Sequence, residues 1–293
     1  MMIAWASVRL FQRAMLVWVI GFIASAYFGI DALNTMGSSP LYAPPGPLKF
    51  ITHALAMVPD GLNDLLVLLV VPILVLLCLR DLLRAPRWWS SLLIWFLYAN
   101  LMDRAWLAGS GGQQLIANLL FWNIFLSLRF VGGGNGHMAA WSHGHMSPLP
   151  HEPMATCAFW IIRVQLLLAY FATGLHKLTG TSWLDGTAMG IVASDPAFGP
   201  LWIVDHPLIA SITTWAVLAF QLTFPIAVWF RRTRYGWMLL GILFHLATAL
   251  WMDIPEMGLA FIAAYPIWFD DQDVHRFALL RRLAGVARSR SLT

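Results

Sequence analysis

Charge is what this sequence has least of. Of its 293 residues, 14 are acidic and 18 are Lys or Arg, 11% together, against about 25% in ordinary soluble domains. With 59% of positions apolar, that scarcity excludes a conventional water-soluble enzyme and a disordered chain, so the fold has to be argued with the bilayer as solvent. Cysteine is scarce as well. Cys78 and Cys157 each lie inside an apolar run, so they cannot build a disulfide framework, a Cys-x-x-Cys redox pair or a zinc site of recognisable spacing. No Gly-rich phosphate loop, His-Glu-x-x-His helix or nucleophile elbow occurs in the context that would make it work. The net charge of +4 does not call for nucleic acid, because basic residues in a hydrophobic chain report orientation first.

What is present is a series of apolar runs, at roughly 14–33, 64–80, 88–107, 115–131, 154–178, 207–230, 235–252 and 257–269. A bilayer-spanning helix takes about 20 residues, so these runs predict an all-α polytopic bundle of about eight spans forming one membrane domain, 1–293. Pro- and Gly-rich connections separate them, among them Ser38–Pro47, Gly109–Gly112 and Gly132–Gly136, and these read as turns and loops. An even number of spans puts both termini on one side. With the termini inside, Arg9, Arg13, Arg80, Arg84, Arg87, Arg129, Arg231, Arg232, Arg234, Arg276, Arg281, Arg282, Arg288 and Arg290 fall inside or at inner helix ends, and only Lys49, Arg104 and Lys177 fall outside. That bias fits the positive-inside rule and a bacterial inner (plasma) membrane. Arg9 and Arg13 ahead of an apolar stretch ending Ala24-Ser25-Ala26 also imitate a secretory signal. The run continues through Tyr27, Phe28 and Ile30, which favours a retained first helix. Residues 34–63 are expected to lie in part on the outer membrane surface, and 270–293 to form a charged inner tail resting on anionic lipid.

Ionisable and polar groups inside spans are costly and default to functional candidates. The fifth run carries Arg163, Gln165, Tyr170, Thr173, His176 and Lys177; the third ends in Asn100, Asp103 and Arg104; the fourth holds Asn118 and Asn123; the seventh holds His245. In the fifth, Arg163, Tyr170 and Lys177 recur every seven residues, a spacing that drifts only about 20° per step and makes one polar stripe. Gly174 lies beside it, where a small residue admits a neighbouring helix or a flat ligand. Snorkelling of Lys177 and Arg163 to opposite interfaces is the bland alternative.

The stretch Tyr170-Phe171-Ala172-Thr173-Gly174-Leu175-His176-Lys177-Leu178, followed by Trp183 and Gly186, resembles the signature of the vitamin K-dependent gamma-carboxylase-like family, also called the HTTM (horizontally transferred transmembrane) domain family. There a Tyr-Phe-x-x-Gly-x-x-Lys-Leu run is followed by Trp and then Gly. Arg9 and Arg13, Leu41-Tyr42 before Gly46, and Phe244-His245 agree more loosely, and the resemblance covers roughly 5–270. It implies a membrane enzyme that oxidises a reduced naphthoquinone, or another isoprenoid quinol, with Lys177 at the position of the base. Tyr170, His176 and His245 would then orient or shuttle protons, with Arg163, Gly174 and Trp183 about the cofactor. Desolvation disfavours the charged form of an amine, and a neutral amine can accept a proton from a quinol. The sequence departs from the full carboxylases in having His176 before Lys177, Ile254-Pro255-Glu256-Met257-Gly258 after Phe244-His245, and only a short tail after the last run. The resemblance therefore carries the membrane core, not glutamate carboxylation. It leaves open a non-enzymatic module that binds a quinone or a partner and assists maturation or export of a secreted peptide, as some short HTTM relatives are thought to do.

Other features carry blander expectations. His137, His143, His145 and His151 crowd a Gly- and Pro-rich loop near Met138 and Met146. Without carboxylates or preformed geometry, no metal is expected there. His245 has a structural alternative, hydrogen bonding to the Asn118 or Asn123 face. Asp103 and Arg104 read as an ion pair, while Tyr98 and Asn100 could share an outer cavity with Lys177. Trp88, Trp89, Trp183, Trp202, Trp251 and Trp268 read as an interfacial belt.

Overall fold

The computed structural model describes residues 5–26, 60–104, 110–128, 152–199, 201–270 and 273. The His137–His151 loop, the 34–59 segment, the tail beyond 273 and the Asp103 and Arg104 side chains lie outside the described residues. The chain is all-helical there, without strands. Its elements are α1 (Trp5–Ala26), α2 (Asp60–Leu83), α3 (Trp88–Arg104), α4 (Gly111–Ser127), α5 (Glu152–Lys177), α6 (Thr181–Leu184), α7 (Ala188–Ser194), a 3₁₀ turn (Leu201–Ile203), α8 (Pro207–Ala227), α9 (Arg231–Trp251), α10 (Pro255–Ala264) and a 3₁₀ turn (Tyr265–Trp268). Three helical stretches, Trp5–Ser25, Pro153–Lys177 and Pro207–Ala227, are long and apolar enough to cross a bilayer, and they mark a membrane protein.

The ends of the helices depart from the ends of the apolar runs for identifiable reasons. The first helix starts at Trp5 rather than near 14, so Arg9 and Arg13 lie within it. Arg9 is tolerated because its Nη2 donates to the Asp81 carbonyl at 2.9 Å and also to that of Arg84, capping carbonyls that the end of α2 leaves unpaired. Beside it, Ser90 donates to Asp81 Oδ2 at 2.8 Å and Arg80 donates to Ser90 at 2.9 Å, which ties the α2–α3 turn together. Of the Gly109–Gly112 turn expected from sequence, Gly111 and Gly112 belong to a helix instead. Ser110 accepts from the Gly112 amide at 3.2 Å and Gln113 accepts from the Ser110 amide, a capping box that begins α4 at Gly111. The last apolar run yields a helix of 10 residues, about 15 Å long at about 1.5 Å per residue. That is about half of a bilayer core of about 30 Å.

The short α10 is central: it packs against α9, α4 and α1. Glycines set the approach. A Cβ on Gly112 would lie 2.5 Å from the Glu256 carbonyl oxygen, and one on Gly258 would lie 2.3 Å from that of His245. The pairs α1–α2, α3–α4 and α1–α10 run antiparallel, as their cross-links show. At one end, Arg9 meets the end of α2, Ser91 meets Ser127 at 2.8 Å, and Ser7 donates to the Pro266 carbonyl. At the other, Tyr98 donates to the Gln113 carbonyl at 3.3 Å and Trp18 to that of Glu256 at 3.2 Å. Between them Gln12 donates to Asn123 at 2.8 Å and Asn123 to Ser91 at 3.3 Å. Asn123 therefore serves α1 and α3, and Asn118 is exposed; neither is a hydrogen-bond partner of His245. Of the tryptophans expected in an interfacial belt, Trp88, Trp202 and Trp251 are exposed, whereas the Trp268 side chain is fully buried and belongs to the core.

Candidate functional site

The site is built on α5. Its stripe positions Arg163 and Tyr170 are buried and Lys177 is half-buried, but the three do different things. Tyr170 is at the centre. Its hydroxyl is hydrogen-bonded to Tyr265 Oη at 2.7 Å and to His245 Nε2, joining α5, α9 and the segment after α10. Phe224 lies 4.4 Å from the Tyr170 ring, and Phe261 stacks on His245 at 4.6 Å with 8° between planes. Gly241, one turn before His245, is what admits Tyr265: a Cβ there would lie 2.0 Å from its hydroxyl. His245 Nδ1 is buried without a hydrogen-bond partner, whichever of Tyr170 and His245 donates in the bond they share. The cluster is a buried His245–Tyr170–Tyr265 hydrogen-bonded chain walled by aromatic rings.

Lys177 lies two turns further along, about 10 Å at about 1.5 Å per residue. Its ammonium sits 4.8 Å from the centre of the Trp183 ring, a cation–π contact, and among the described residues no carboxylate pairs with it. Trp183 is brought there by α6, which Trp215 of α8 pins by donating to the Leu184 carbonyl at 3.4 Å. Gly186 follows with φ +82, in the left-handed region that glycine enters without strain, and the Trp215 ring is 3.0 Å from where its Cβ would be. Beside it, Asp185 Oδ1 accepts from the Thr187 amide at 2.9 Å and its hydroxyl at 2.6 Å. These bonds hold the Asp185 carboxyl below the usual carboxylate range.

Between the relay and Lys177, Gly174 is buried against α8, where Leu222 Cδ2 is 2.9 Å and Gln221 Cβ 3.3 Å from its would-be Cβ. Gln221 is buried, and its Oε1 has no partner. From the α8 C-terminal direction outward the order is therefore Tyr170 with His245 and Tyr265, then Gln221, then Lys177 over Trp183. His176 is exposed, turned about 100° from Lys177 around the helix, and does not join this line. Tyr98 and Asn100 do not join it either: Tyr98 is in edge contact with Trp18 and Phe22, and Asn100 donates to its own helix at Phe96.

Arg163 serves the opposite end. Its Nε and Nη2 donate to the Ile267 carbonyl at 3.1 and 2.9 Å, and its guanidinium lies against Phe159, Trp160 and Trp268. Arg234 adds bonds to the Val228 and Trp268 carbonyls and to Asp270 at 3.0, 3.2 and 3.1 Å. Arg163 thus pegs the segment after α10 and is remote from Lys177. Tyr265, Gln221 and Arg234 were not singled out from the sequence. A tyrosine in an apolar run reads equally as belt, and the pairing partners are far apart in the chain. Among the described residues no cluster of three potential metal ligands occurs.

Comparison with known proteins locates this segment. A protein described as sporulation-delaying protein SdpB, from Bacillus subtilis (strain 168), is 27% identical over 191 residues, 62% of this chain and 58% of that protein. The chain thus spans less than two-thirds of its relative's length. No solved structure matches. The model of the HTTM domain family matches residues 140–272. That segment contains the whole Tyr170–Gly186 signature as well as His245 and Tyr265, so the candidate site belongs to the part of the chain that matches the HTTM domain.

Proposed function

We propose that this is a multi-pass inner-membrane protein with both termini inside, in which Lys177 acts as the base toward a quinol-like lipid at the outward end of α5. It would be a quinol-dependent membrane enzyme related to the gamma-carboxylases in its membrane core. The observation that carries the reading is the order Lys177, Gln221, His245–Tyr170–Tyr265: an amine without a carboxylate partner, a buried acceptor without a donor, and a hydrogen-bonded chain centred on Tyr170, met in turn along the length of α5. The residues fit such a lipid in two respects. Gln221 Oε1 is a buried acceptor lacking a donor, and a quinol hydroxyl is a donor. Trp183 offers an aromatic face beside the amine. When bound, a reduced quinone supplies the electrons. The chain's own part would be to accept one quinol hydroxyl at Gln221 Oε1, to take the proton of the other hydroxyl at Lys177 Nζ in its neutral form, and to keep water from the deeper tyrosine–histidine chain with the Phe224 and Phe261 rings.

Lipid extraction of the purified protein tests this. An isoprenoid quinone should co-purify with the native chain and be lost, or become exchangeable, in Lys177→Ala that still inserts. Absence of any quinone from the native protein removes the reading. The second reading is a module without turnover that assists maturation or export of a secreted peptide. It is favoured by the similarity to a relative whose description names an effect on sporulation and no reaction, and by the closed packing around His245. Under it, Lys177→Ala keeps biological activity.

A further inference from the structure

The segment between α5 and α8 is inverted relative to a loop in water. It is held firmly to α8: the Met189 amide donates to Thr214 Oγ1 at 3.0 Å, Trp215 donates to Leu184, and Ala193 and Ile203 pack on Ala210. Yet what it turns inward is mostly small. Gly186, Ala188 and Ala193 are buried, and Gly199 fits so closely that a Cβ would lie 2.2 Å from Ala193 Cα. What it turns outward is large and apolar: Leu184 is 57% exposed, Ile191 59%, Phe198 45% and Trp202 49%. A water-facing loop buries its large apolar side chains and shows its small ones.

Two further observations say what covers this face. Past the exposed Asp205 and His206, the exposed apolar side chains resume on α8, where Leu208, Ile209, Ile212 and Trp215 are exposed on a helix apolar and long enough to span. No Lys or Arg occurs between Lys177 and Arg231, so attraction to anionic headgroups is not the means of attachment. Two of its three carboxylates are tied into turns, Asp185 to Thr187 and Asp195 to the Ala197 amide at 2.9 Å, and the third, Asp205, is exposed beside the start of α8.

We infer that residues 178–199 and 201–206 form a platform seated in the bilayer, with Leu184, Ile191, Phe198 and Trp202 in the acyl and headgroup boundary of the leaflet at the Lys177 end. Short helices with aromatic side chains at that level are at home in the interface. Because Trp183 of this platform lies under the Lys177 amine, the amine opens toward lipid, and whatever reaches it arrives from the leaflet. The placement goes beyond the quinol reading and does not need it.

Site-directed nitroxide labelling of the full chain in zwitterionic phosphatidylcholine bilayers tests the placement. Single cysteines at Ile191→Cys, Phe198→Cys and Trp202→Cys are made in a Cys157→Ser background, Cys78 being buried, with Ile212→Cys as the lipid-facing reference. Collision with molecular oxygen, which concentrates in lipid, should exceed collision with a water-soluble nickel chelate several-fold at all three sites, approaching the ratio at 212. Neither raised salt nor the absence of anionic lipid should change it. A chelate-dominated signal would place the segment in water and overturn the inference. Labels shielded from both reagents would overturn it too, by showing a second copy or another protein on this face. Quinone content plays no part in this readout, so failure here is distinguishable from failure of the quinol reading.

Discussion

At the scale of single residues, close contacts decide more than chemistry does. Gly241 exists to seat Tyr265, so Gly241→Ala should displace the Tyr265 hydroxyl from Tyr170 and cost about 1–3 kcal/mol, the usual range for overfilling a packed core. Gly236, with open space around its would-be Cβ, is the control: Gly236→Ala should leave unfolding in detergent or nanodiscs unchanged or slightly slowed. Tyr265→Phe removes one neutral hydrogen bond and should cost about 0.5–1.5 kcal/mol, with Tyr170 and His245 still paired. Lys177→Ala should abolish turnover with insertion and unfolding behaviour intact, and retained turnover would take Lys177 out of the chemistry. The stripe of Arg163, Tyr170 and Lys177 was legible from a spacing of seven. That its members serve three separate ends was not, because periodicity fixes a face and says nothing of which helix lies against it. Tyr170 and His245 were both marked as candidates, but the bond joining them became visible only in three dimensions, since 75 residues separate them.

At the scale of elements, most of the helices follow from apolar runs, and the misjudged ends were those where a polar residue is satisfied by a partner. Arg9 sits in α1 because α2 ends beside it, and Arg231 to Arg234 open α9 because Asp270 and Asp273 lie close by. Hydropathy alone pushes such residues out of a helix. The segment after α10 is pegged by Arg163 and Arg234. Arg163→Gln should leave the Ile267 carbonyl less well paired and cost about 1–3 kcal/mol, with Trp268, now buried against Arg163, becoming quenchable. Trp268 fluorescence, compared with that of a Trp268→Phe variant, reads this directly. The platform of α6 and α7 had no hydropathy signature, being short helices of mixed composition. Its one sequence signal was the Trp183 and Gly186 pair in the motif.

At the scale of the whole molecule, the same two ends recur. Arg9, Arg80 and Arg234 gather at one end of the bundle and Lys177, Asp185 and Glu256 at the other, as the distribution of charge along the sequence anticipates. Under the proposed orientation, alkaline phosphatase fused after residue 180 should be active and a fluorescent protein fused at 293 should glow in the cytoplasm. The reverse pattern would invert the orientation. The unexpected feature at this scale is α10, a half-length helix at the centre of the bundle. Its consequence lies in biogenesis. Ten residues give the insertion machinery too little hydrophobic length to recognise as a stop, and an isolated helix so short is not stable by itself. So α10 must enter as a passenger, folding back on α9 and waiting for α1 and α4 to wall it in. Interrupting translation before Trp268 would leave the groove between those helices unfilled, and α10 with the turn after it is then what closes the bundle around the Tyr170 cluster.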